Sequence, residues 1–596
     1  MCGICGELRF DGSTPDMKII KRMSEKIARR GPDHEASYSD GTLAFGHRRL
    51  SIIDLTASSD QPMVDKDLQL TIVFNGTIYN YKELRSELQG MGYTFFSEGD
   101  TEVIIKAYHA WGDHCVDRFF GMFAFAIWDK RQGSLFLARD RFGIKPLYYS
   151  LDGIRLRIAS NMQALLASGG IDTSINPLAL HHHFTLHAVV PAPYTILNGI
   201  KKLPPAHSMT FKLDGTVSQR CYWKLDATRP AKQLSEEEWI KATRIVLARA
   251  VERHRLASDV PVGILLSGGL DSSLLVGLLA DHVDNLLTFS VGFEDIGGGA
   301  EKGDEFEYSD QVVEHFKTTH HKFLIPNSEV LKRLPEAIEN MSEPMVSQDV
   351  VAFYLLSEKV ADEVKVVLSG QGADEVFGGY FWYPVMDKTE GSALDKFRLN
   401  YFDRDHEEFL EMISPKYHVE DATSQMVEAA LNQERADTFL DEVLRFDSTT
   451  LIVDDPVKRV DNMTMAWGLE ARVPFLDHEL VELAARMPPE LKLKEGGKFP
   501  LKAIARGLIP DSVIDRSKGY FPVPALKYVR GEFLQFMQNI LTSDACINRG
   551  LYQRNYVEKL LADPEKYLTR IQGSKLWHLA LLEYWLQLNV DPVSAK

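Results

Sequence analysis

The feature that most restricts the fold of this chain is a strand, a glycine turn and a helix that follow one another directly. VPVGILL (260–266) has an apolar strand pattern, and SLLVGLLA (273–280) has an apolar helix pattern. Strand–turn–helix units of this kind build parallel sheets. In the turn, Gly268 and Gly269 can adopt conformations closed to other residues, which lets successive N–H groups point into one concavity. Because the helix adds its positive N-terminal end, the turn predicts a pyrophosphate site.

The side chains of the same turn indicate a cation. Ser267, Ser272 and Ser273 can donate hydroxyl hydrogen bonds, but phosphates would repel Asp271 unless a cation such as Mg²⁺ lies between them. The turn has no G-x-x-x-x-G-K-[ST] pattern and is not a Walker A loop. It resembles the SGGxDS loop of pyrophosphatase-type ATP enzymes, which transfer AMP and release pyrophosphate.

A second loop, LSGQGADEVFGGY (368–380), also follows an apolar strand. Open parallel sheets bind ligands at the carboxyl ends of their strands, so Asp374 is predicted to be the second Mg²⁺ ligand. Val291 and Phe293, which end another strand, could line an adenine pocket or belong to the core. The predicted ATP contacts are Leu266, Ser267, Gly268, Gly269, Asp271, Ser272, Val291, Ser369 and Gly370.

The leaving pyrophosphate needs a cation in the transition state. GGKFPLKAIARGLIP (496–510) offers Lys498 and Lys502, of which Lys502 is favoured. Spacing alone leaves open that Lys502 is an ordinary exposed lysine.

The chain of 596 residues is too long for a single core, so two or more domains are expected. Short strands with glycine turns dominate the first ~210 residues, with helices near 16–30 and 101–111. A polar stretch (224–238) then precedes strand–turn–helix alternation, and helical periodicity dominates from about 390. The pattern predicts a first domain at 1–215 and a second at 236–596, in which C-terminal helices surround a parallel sheet.

Cys2 would be the first residue once Met1 is removed. A free α-amine has a pKa of about 7.7–8.0, so it can take the thiol proton without a histidine partner. An amide substrate would pass through an oxyanion that needs donors. Asn75 and Gly76 are the candidates, although an NG pair between apolar residues is more often a hairpin turn.

Composition excludes several classes of protein. The net charge of −17 argues against nucleic-acid and anionic-membrane partners, and no apolar run is long enough to span a membrane. The first residues lack the pattern of a signal peptide, and five cysteines in so long a chain do not make a disulfide framework. A cytoplasmic location is expected. Cys2 and Cys5 have C-x-x-C spacing, but no second Cys/His pair nearby would complete a zinc site.

Motifs in the first part look like class II glutamine amidotransferases, and those of the whole chain resemble the glutamine-hydrolysing asparagine synthetase family. The resemblance covers nearly the whole chain, in family order. It implies an Ntn-type four-layer αββα glutaminase domain followed by a PP-loop synthetase domain. The motifs are MCGICG (1–6), RRGPD (29–33), GHRRLSIIDL (46–55), QPM (61–63), FNGTIYNY (74–81), EGDTEVI (98–104), GMFAFAIWD (121–129), RDRFGIKPLYY (139–149), SGGLDSS (267–273), SGQGADEVFGGY (369–380) and LEARVPFLD (469–477).

The resemblance also implies roles. Cys2 would attack glutamine, Arg49 would hold its α-carboxylate, Asp100 its α-ammonium, and Asn75 with Gly76 would form the oxyanion hole. Ammonia would pass through an internal channel to a carboxylate that ATP has converted to an acyl-adenylate.

Three positions depart from asparagine synthetases. Thr77 and Gln371 each replace a usual glutamate, and the segment with Ser347 and Gln348 (342–357) does not look like the usual aspartate pocket. With LHAVVPAPYTILNGIKKLPP (186–205), these features resemble the N-acetylglutaminylglutamine amidotransferases more closely. The acceptor is therefore predicted to be that acetylated dipeptide.

Two alternatives stay open at the level of sequence. One is an asparagine synthetase that acts on aspartate, and the other is a non-catalytic relic that senses glutamine or ATP. A homodimer is possible, and residues 380–450 could shape acceptor entry or a subunit contact.

Overall fold

The computed structural model describes residues 2–294, 305–516 and 529–594, so Met1 and its predicted removal lie outside the described residues. Two antiparallel sheets form within residues 2–221, and one parallel sheet forms within residues 262–472. The strands are β1 Cys2–Arg9, β2 His34–Asp40, β3 Leu43–Arg49, β4 Met63–Asp65, β5 Leu70–Ile78, β6 Gly121–Asp129, β7 Ser134–Arg139, β8 Tyr148–Leu151, β9 Arg155–Ala159, β10 Lys201–Lys202, β11 His207–Lys212, β12 Val217–Cys221, β13 Val262–Leu265, β14 Leu287–Phe293, β15 Thr319–Ile325, β16 Val366–Leu368 and β17 Glu470–Arg472.

The two antiparallel sheets each have six strands. Their orders are β10-β8-β9-β1-β3-β2 and β12-β11-β7-β6-β5-β4. The last strand, β12, lies beyond residue 215, where the sequence places the end of the first domain. The helices of this part are Met17–Lys26, Tyr81–Gly90, Asp100–Trp111, Met162–Ala167 and Pro177–Thr185.

Successive side chains of each strand point to opposite faces of its sheet, so the two faces belong to different cores. Ile4 on β1 and Val73 on β5 belong to one core that lies between the sheets. Cys5 faces the other way, with Ile20 of the helix Met17–Lys26, and Phe74 packs with the helix Asp100–Trp111. The order of layers is therefore helix, sheet, sheet, helix. Because Cys2 and Cys5 are three residues apart on one strand, they project from opposite faces of the sheet.

The third sheet has the order β15-β14-β13-β16-β17, and all its neighbouring strands are parallel. Its central strand, β13, ends at the glycine turn, and the helix Leu270–Leu279 begins immediately after that turn. The carboxyl ends of β13 and β16 are neighbours, so the two predicted loops meet at one edge of the sheet.

Helices make up most of the chain after residue 390, as predicted. No helix among the described residues is both long and apolar enough to cross a membrane. The helices of the second part are Glu236–Leu256, Leu270–Leu279, Phe306–Phe316, Asn327–Glu339, Val350–Ala361, Ala373–Phe377, Trp382–Lys388, Ala393–Tyr401, His406–Met412, Ala422–Leu431, Phe439–Phe446, Lys458–Met465, His478–Ala485, Pro489–Leu493, Phe499–Ala505, Asp511–Asp515, Gly531–Leu541, Asp544–Arg549, Arg554–Ala562, Lys575–Asn589 and Asp591–Ser594.

Residues 380–450 fold into helices around a core of their own. Tyr383, Phe397 and Phe446 are buried there together with Leu186 and Val189, which follow the helix Pro177–Thr185. This segment therefore packs against the end of the first part of the chain.

The strand predicted at 260–266 is confirmed by β13, and the strand predicted before the second loop is confirmed by β16. The helices predicted near 16–30 and 101–111 are confirmed by Met17–Lys26 and Asp100–Trp111. The structure adds the helix Tyr81–Gly90 and the three-residue strand β17. Strand β17 is short and fully buried, so it has no polar–apolar alternation to reveal it.

Buried ion pairs join the two parts of the chain. Asp461, on the helix Lys458–Met465, accepts from Arg30 at 2.9 and 3.2 Å and from Lys145 at 3.1 Å. In a second cluster, Lys202 donates to Glu343 at 2.9 Å and to Asp454 at 2.7 Å. In these hydrogen bonds the donors come from the first part and the carboxylates from the second, and Lys458 of the second part lies 3.6 Å from the same two carboxylates.

We expect Asp461→Ala to destabilise the protein by about 3–5 kcal/mol, because it leaves Arg30 and Lys145 as buried cations without their carboxylate. The urea midpoint, followed by tryptophan fluorescence, measures the loss. Glu558→Ala is the control, since it breaks only the exposed Arg554–Glu558 pair and should leave the midpoint unchanged. Equal midpoints for the two variants would contradict the expectation.

Candidate active site

Cys2, Arg49, Gly76 and Asp100 line one pocket as predicted, whereas Asn75 is fully buried and is not part of the lining. Cys2 starts β1 and lies opposite Arg49 on β3, so the register of two strands brings them together. The pocket is lined by Cys2, Arg49, Leu50, Ile52, Ile53, Ser59, Gln61, Phe74, Gly76, Thr77, Asp100 and Thr101.

The Asn75 side chain is fixed against the backbone of Cys2. The Cys2 N–H donates to Asn75 Oδ1 at 3.1 Å, and this bond orients the amide. Asn75 is fully buried, and its Nδ2 has no hydrogen-bond partner among the residues that the structure describes. An unsatisfied buried donor beside a nucleophile is suited to an oxyanion.

Gly76 is required by close packing. A Cβ on Gly76 would lie 2.2 Å from the carbonyl oxygen of Met122 on the neighbouring strand β6, and the φ of Gly76 is 154°. The NG pair therefore lies inside a strand and does not form a hairpin turn.

Arg49 is held in place by oxygens of the following loop. Its Nη1 donates to Thr56 O at 2.8 Å and to Asp60 Oδ1 at 2.7 Å, and its Nη2 donates to the carbonyl of Asp54. The guanidinium is buried at the pocket wall with its orientation set before any ligand arrives.

Asp100 is the first residue of the helix Asp100–Trp111. Its Oδ2 accepts the N–H of Ile78 at 3.0 Å, directly after the NG-containing part of β5. Burial raises the pKa of Asp100 to about 6, although the hydrogen bond from Ile78 acts against the rise.

Burial also raises the pKa of the Cys2 thiol above its ordinary value. A hydrogen bond from the backbone of Leu50 and the charge of Arg49 act in the opposite direction. The buried thiol is therefore mainly protonated at neutral pH, and attack by its sulfur requires a base close by.

Gln61, which the sequence marked only as part of a motif, supports the edge of the pocket. Its Oε1 accepts the N–H of Phe74 at 2.6 Å, and its Nε2 donates to Thr101 at 3.2 Å. It thus ties β5 to the start of the helix that carries Asp100.

Thr77 contacts a carboxylate from the other part of the chain. Its Oγ1 donates to Glu470 Oε1 at 3.2 Å, and Arg472 Nε donates to the same oxygen at 2.5 Å. Burial acts to raise the pKa of Glu470, but the positive charges around it, first Arg472 and also Lys145, act more strongly, and the pKa is lowered to about 2. A charged carboxylate therefore lies next to Thr77. Thr77 itself occupies the position at which asparagine synthetases usually have a glutamate.

The glycine turn after β13 is closely packed and is held by hydrogen bonds to its own serines. The φ of Gly268 is 75°, and a Cβ there would meet the Ser309 N at 2.8 Å. Ser272 Oγ accepts the N–H of Ser267 at 3.2 Å, and Ser267 Oγ accepts the N–H of Gly269 at 3.3 Å. These bonds hold the turn at the N-terminus of the helix Leu270–Leu279.

The two predicted Mg²⁺ ligands face each other across one lysine. Lys498 Nζ lies 2.6 Å from Asp271 Oδ2 and 2.8 Å from Asp374 Oδ1. Burial opposes the charge of Lys498, but the two aspartates outweigh it and raise its pKa. The structure thus brings both carboxylates to one cation position.

Lys502, the favoured lysine, lies one helical turn further along. Its Nζ donates to the carbonyl of Glu495, and it is partly exposed. In this structure Lys498, and not Lys502, contacts the aspartates, so the role of Lys502 stays a prediction.

A second pocket contains most of the predicted nucleotide and acceptor residues. A Cβ on Gly370 would lie 3.0 Å from Asp271 Cβ, so the two loops touch. Phe293 lies in the hydrophobic core instead. The pocket is lined by Leu265, Leu266, Ser267, Asp271, Ser272, Phe289, Ser290, Val291, Asp349, Phe353, Leu356, Ser369, Gly370, Gln371 and Asp374.

Asp349 joins Gln371 in this lining, although sequence reasoning did not select it. Ser347 Oγ donates to Asp349 Oδ1 at 2.6 Å, and Arg459 Nε lies 3.1 Å from the same oxygen. Gln348 points elsewhere, with its Nε2 3.5 Å from the carbonyl of Gln572. Of the predicted acceptor residues, Gln371 therefore lines the pocket, Ser347 acts through Asp349, and Gln348 lies outside the lining.

Strand β17 connects the two pockets. Its first residue, Glu470, contacts Thr77, and the carbonyl of its last residue, Arg472, accepts the N–H of Ser369 at 2.8 Å. The sequence marks this segment only as the motif LEARVPFLD (469–477). The structure shows that residues of the motif contact both pockets.

Comparisons with known proteins agree with this two-site arrangement. The asparagine synthase family model matches residues 242–587, and the glutamine amidotransferase domain model matches residues 1–223. These matches and the two pockets define the class as glutamine-dependent ligases. The chain belongs to the asparagine synthase family, which confirms the resemblance seen in the sequence.

Individual relatives cover almost the whole chain. Asparagine synthetase [glutamine-hydrolyzing] 1 of Bacillus subtilis (strain 168) is 31% identical in an alignment of 642 positions that covers 99% of this chain and 97% of the relative. Asparagine synthetase [glutamine-hydrolyzing] 3 of the same organism is 30% identical over 94% of this chain and 93% of its own length.

Among solved structures, the glutamine phosphoribosylpyrophosphate amidotransferase of B. subtilis, complexed with ADP and GMP, is 16% identical. The match covers 44% of this chain and 60% of that chain, with a TM-score of 0.29. A score this low carries no argument, so the fold rests on the sheet topology described above.

We expect kcat/KM for glutamine hydrolysis to fall as the pH drops through about 6, because protonation removes the charge of Asp100 in the Cys2 pocket. The limiting slope for one required carboxylate is about tenfold per pH unit. Rates measured from pH 5 to 8 test this.

Asp100→Asn should be slow and should lack the fall centred near pH 6, whereas the fall at higher pH that protonation of the Cys2 α-amine causes should remain. Glu98→Gln removes a nearby acid whose side chain is 88% exposed, and it should retain the wild-type profile. A wild-type rate that stays flat between pH 7 and 5 would refute the assignment of the fall near pH 6 to Asp100.

Proposed function

We propose that the protein hydrolyses glutamine at Cys2 and uses the ammonia to amidate a carboxylate that ATP has activated. The observation that carries the glutaminase half is the Asn75 amide. Its oxygen accepts the Cys2 N–H, and its buried Nδ2 has no hydrogen-bond partner among the described residues, so this donor is free for an oxyanion. Small-molecule substrates, namely glutamine, ATP and the acceptor, are the expected partners.

In the first reaction, Cys2 Sγ attacks the side-chain amide carbon of glutamine. The thiol proton moves to the Cys2 α-amine, which becomes free when Met1 is removed, and then to the leaving ammonia. Asn75 Nδ2 and the N–H of Gly76 donate to the oxyanion. Water then cleaves the thioester to give glutamate.

Glutamine would be oriented by the charges of the pocket walls. Arg49 would pair with the α-carboxylate and Asp100 with the α-ammonium. Glu470 adds a negative charge behind Thr77, which supports recognition of the ammonium where the usual glutamate is missing.

In the second reaction, an oxygen of the acceptor carboxylate attacks the α-phosphorus of ATP, and pyrophosphate leaves. The turn at Ser267–Ser272 would hold phosphates through N–H and hydroxyl groups, with Leu266 and Val291 against the base and Ser369 and Gly370 closing the site. Ammonia then attacks the acyl carbon, an amide forms, and AMP departs.

The residues present fit Mg²⁺. Asp271 and Asp374 converge on one cation position, which Lys498 occupies in this structure. Bound Mg²⁺ would neutralise charge on the phosphates. Lys498 would then be released toward pyrophosphate, with Lys502 as the second cation that we propose for that leaving group.

For the acceptor we propose the C-terminal carboxylate of N-acetylglutaminylglutamine. Gln371 lines the pocket beside the phosphate loops, and an amide there removes the charge and base function of the usual glutamate. An amide can donate and accept hydrogen bonds with a substrate made mostly of amides.

Aspartate is the second candidate acceptor. It is favoured by the names of the relatives, which are asparagine synthetases. Asp349 in the pocket also offers a carboxylate to an α-ammonium, which aspartate has and the acetylated dipeptide lacks.

We propose that the first domain has the Ntn-hydrolase fold, since its four layers carry Cys2 at the first strand. The second domain would have the PP-loop fold. The domain boundaries that we propose remain 1–215 and 236–596, with β12 as an extension of the first. Homodimer formation and a cytoplasmic location stay predictions.

We expect Cys2→Ala to abolish glutamine-driven AMP formation and to retain AMP formation with ammonium salts, because the two sites are separate. Asp271→Asn should do the reverse and retain only glutaminase activity. Glutamate and AMP measured in parallel test both. Cys221→Ala, which removes an exposed thiol, should retain both activities. Loss of both activities in Cys2→Ala would exclude this division.

We expect AMP to form with glutamine, ATP, Mg²⁺ and the acetylated dipeptide, and to form more slowly with aspartate. Gln371→Glu should reduce the dipeptide-dependent rate at least tenfold and leave glutaminase activity intact, since Gln371 lies in the other pocket. AMP formation with aspartate and none with the dipeptide would refute the proposed acceptor.

A further inference from the structure

A group of metal-ligating side chains lies outside both pockets. His187 follows the helix Pro177–Thr185, Asp403 follows the helix Ala393–Tyr401, and His578 lies on the helix Lys575–Asn589. One ligand atom from each of the three residues lies within 4.8 Å of the others. The fold thus brings three distant parts of the chain to one point.

The spacing of these atoms suits a tetrahedral ion. His187 Nδ1 lies 2.9 Å and His578 Nδ1 lies 3.5 Å from Asp403 Oδ2. Around a zinc ion with ligand bonds of about 2.0–2.1 Å, tetrahedral donors lie about 3.3 Å apart. The two measured distances fall on either side of this value.

Asp403 and His578 are buried, and protein hydrogen bonds satisfy the group only in part, since His187 Nδ1 and Asp403 Oδ2 share one hydrogen bond at 2.9 Å. His578 is 1% exposed, and within the described part of the chain neither of its ring nitrogens makes a hydrogen bond. Asp403 Oδ1 is likewise buried without a partner in that part of the chain. Native proteins pair nearly all buried polar atoms, so several unpaired atoms around one point indicate an ion.

Neighbouring charges restrict the kind of ion. Asp403 is the carboxylate of the group, and Arg404 and Lys575 add positive charge near His578. Lys575 is neutralised by Glu408 at 2.6 Å, and the Arg404 guanidinium lies over the Phe184 ring. With one anionic ligand and a cation nearby, the site disfavours Mg²⁺ and Ca²⁺, which need several oxygen ligands, and favours ions that bind imidazole strongly.

We propose that His187, Asp403 and His578 bind one divalent transition-metal ion, with Zn²⁺ as the first choice.

The ion would act as a structural clamp on the loop that carries Gln348. Gly573 lies against both rings, because a Cβ there would be 3.1 Å from His578 Nε2 and 3.3 Å from His187 Cε1. The adjacent carbonyl of Gln572 faces Gln348 Nε2 at 3.5 Å. An ion that holds the rings of His187 and His578 would therefore also hold the turn at 572–573. This turn supports the loop with Gln348, which lies beside the acceptor pocket. This site does not depend on the proposed acceptor.

The test is Co²⁺ binding to the tag-free, full-length protein after chelator treatment. We expect one equivalent to bind, with the visible absorption bands of tetrahedral nitrogen and oxygen coordination, and added Zn²⁺ to displace it. We also expect Zn²⁺ alone to raise the melting temperature. Absence of these bands at a tenfold excess of Co²⁺ would overturn the proposal, whether or not any variant folds.

His187→Asn and His578→Asn should each weaken Co²⁺ binding at least 100-fold, as judged on protein with wild-type near-UV circular dichroism. His406→Asn is the matched control, because it alters the other histidine-containing group, in which His181 Nε2 lies 3.0 Å from His406 Nδ1. It should bind Co²⁺ like the wild type. Loss of binding in His406→Asn and retention in His578→Asn would overturn the assignment.

Discussion

The carboxylate of Asp461 lies between two cations of the first domain, and the geometry of both pockets depends on that contact. Arg30 donates to Asp461 and, through Nε, to the carbonyl of Cys2 at 3.2 Å. On the same helix, Asn462 Oδ1 accepts the N–H of Ser342 at 2.7 Å, and Arg459 lies against Asp349 of the second pocket. A buried pair of this kind is strong only while its geometry is kept, so it fixes the mutual position of the domains.

The sequence alone predicted the site correctly where the functional residues are neighbours in one short segment. The glycines and serines of SGGLDSS predicted a turn between strand and helix, and that turn is present. Cys2 and Arg49 are 47 positions apart and become neighbours only through the register of β1 and β3. From the sequence, they could be assigned to one site only through a family resemblance. The register itself depends on which faces of two sheets are buried, a property that no local pattern contains.

What sequence reasoning missed depends on long-range packing. Glu470 and Asp349 are single acidic residues without a spacing pattern. Glu470 pairs with Arg472 on its own strand and accepts from Thr77 of the first part of the chain, and Asp349 lies against Arg459 of another helix. Lys498 was one of two candidate lysines, and only the tertiary fold distinguishes their contacts. The group of His187 and its two partners joins residues up to 391 positions apart, beyond any motif.

Strand β17 has a mechanical consequence. Glu470 and Arg472 are two residues apart, a span of about 7 Å along an extended chain. The side chain of the first contacts Thr77 on the wall of the Cys2 pocket, and the carbonyl of the second accepts the N–H of Ser369 beside the other pocket. The segment is paired with β16 along its whole length, so it has no free residue at which to bend. A displacement of the loop at Ser369 would therefore be passed through these three residues to the wall of the Cys2 pocket.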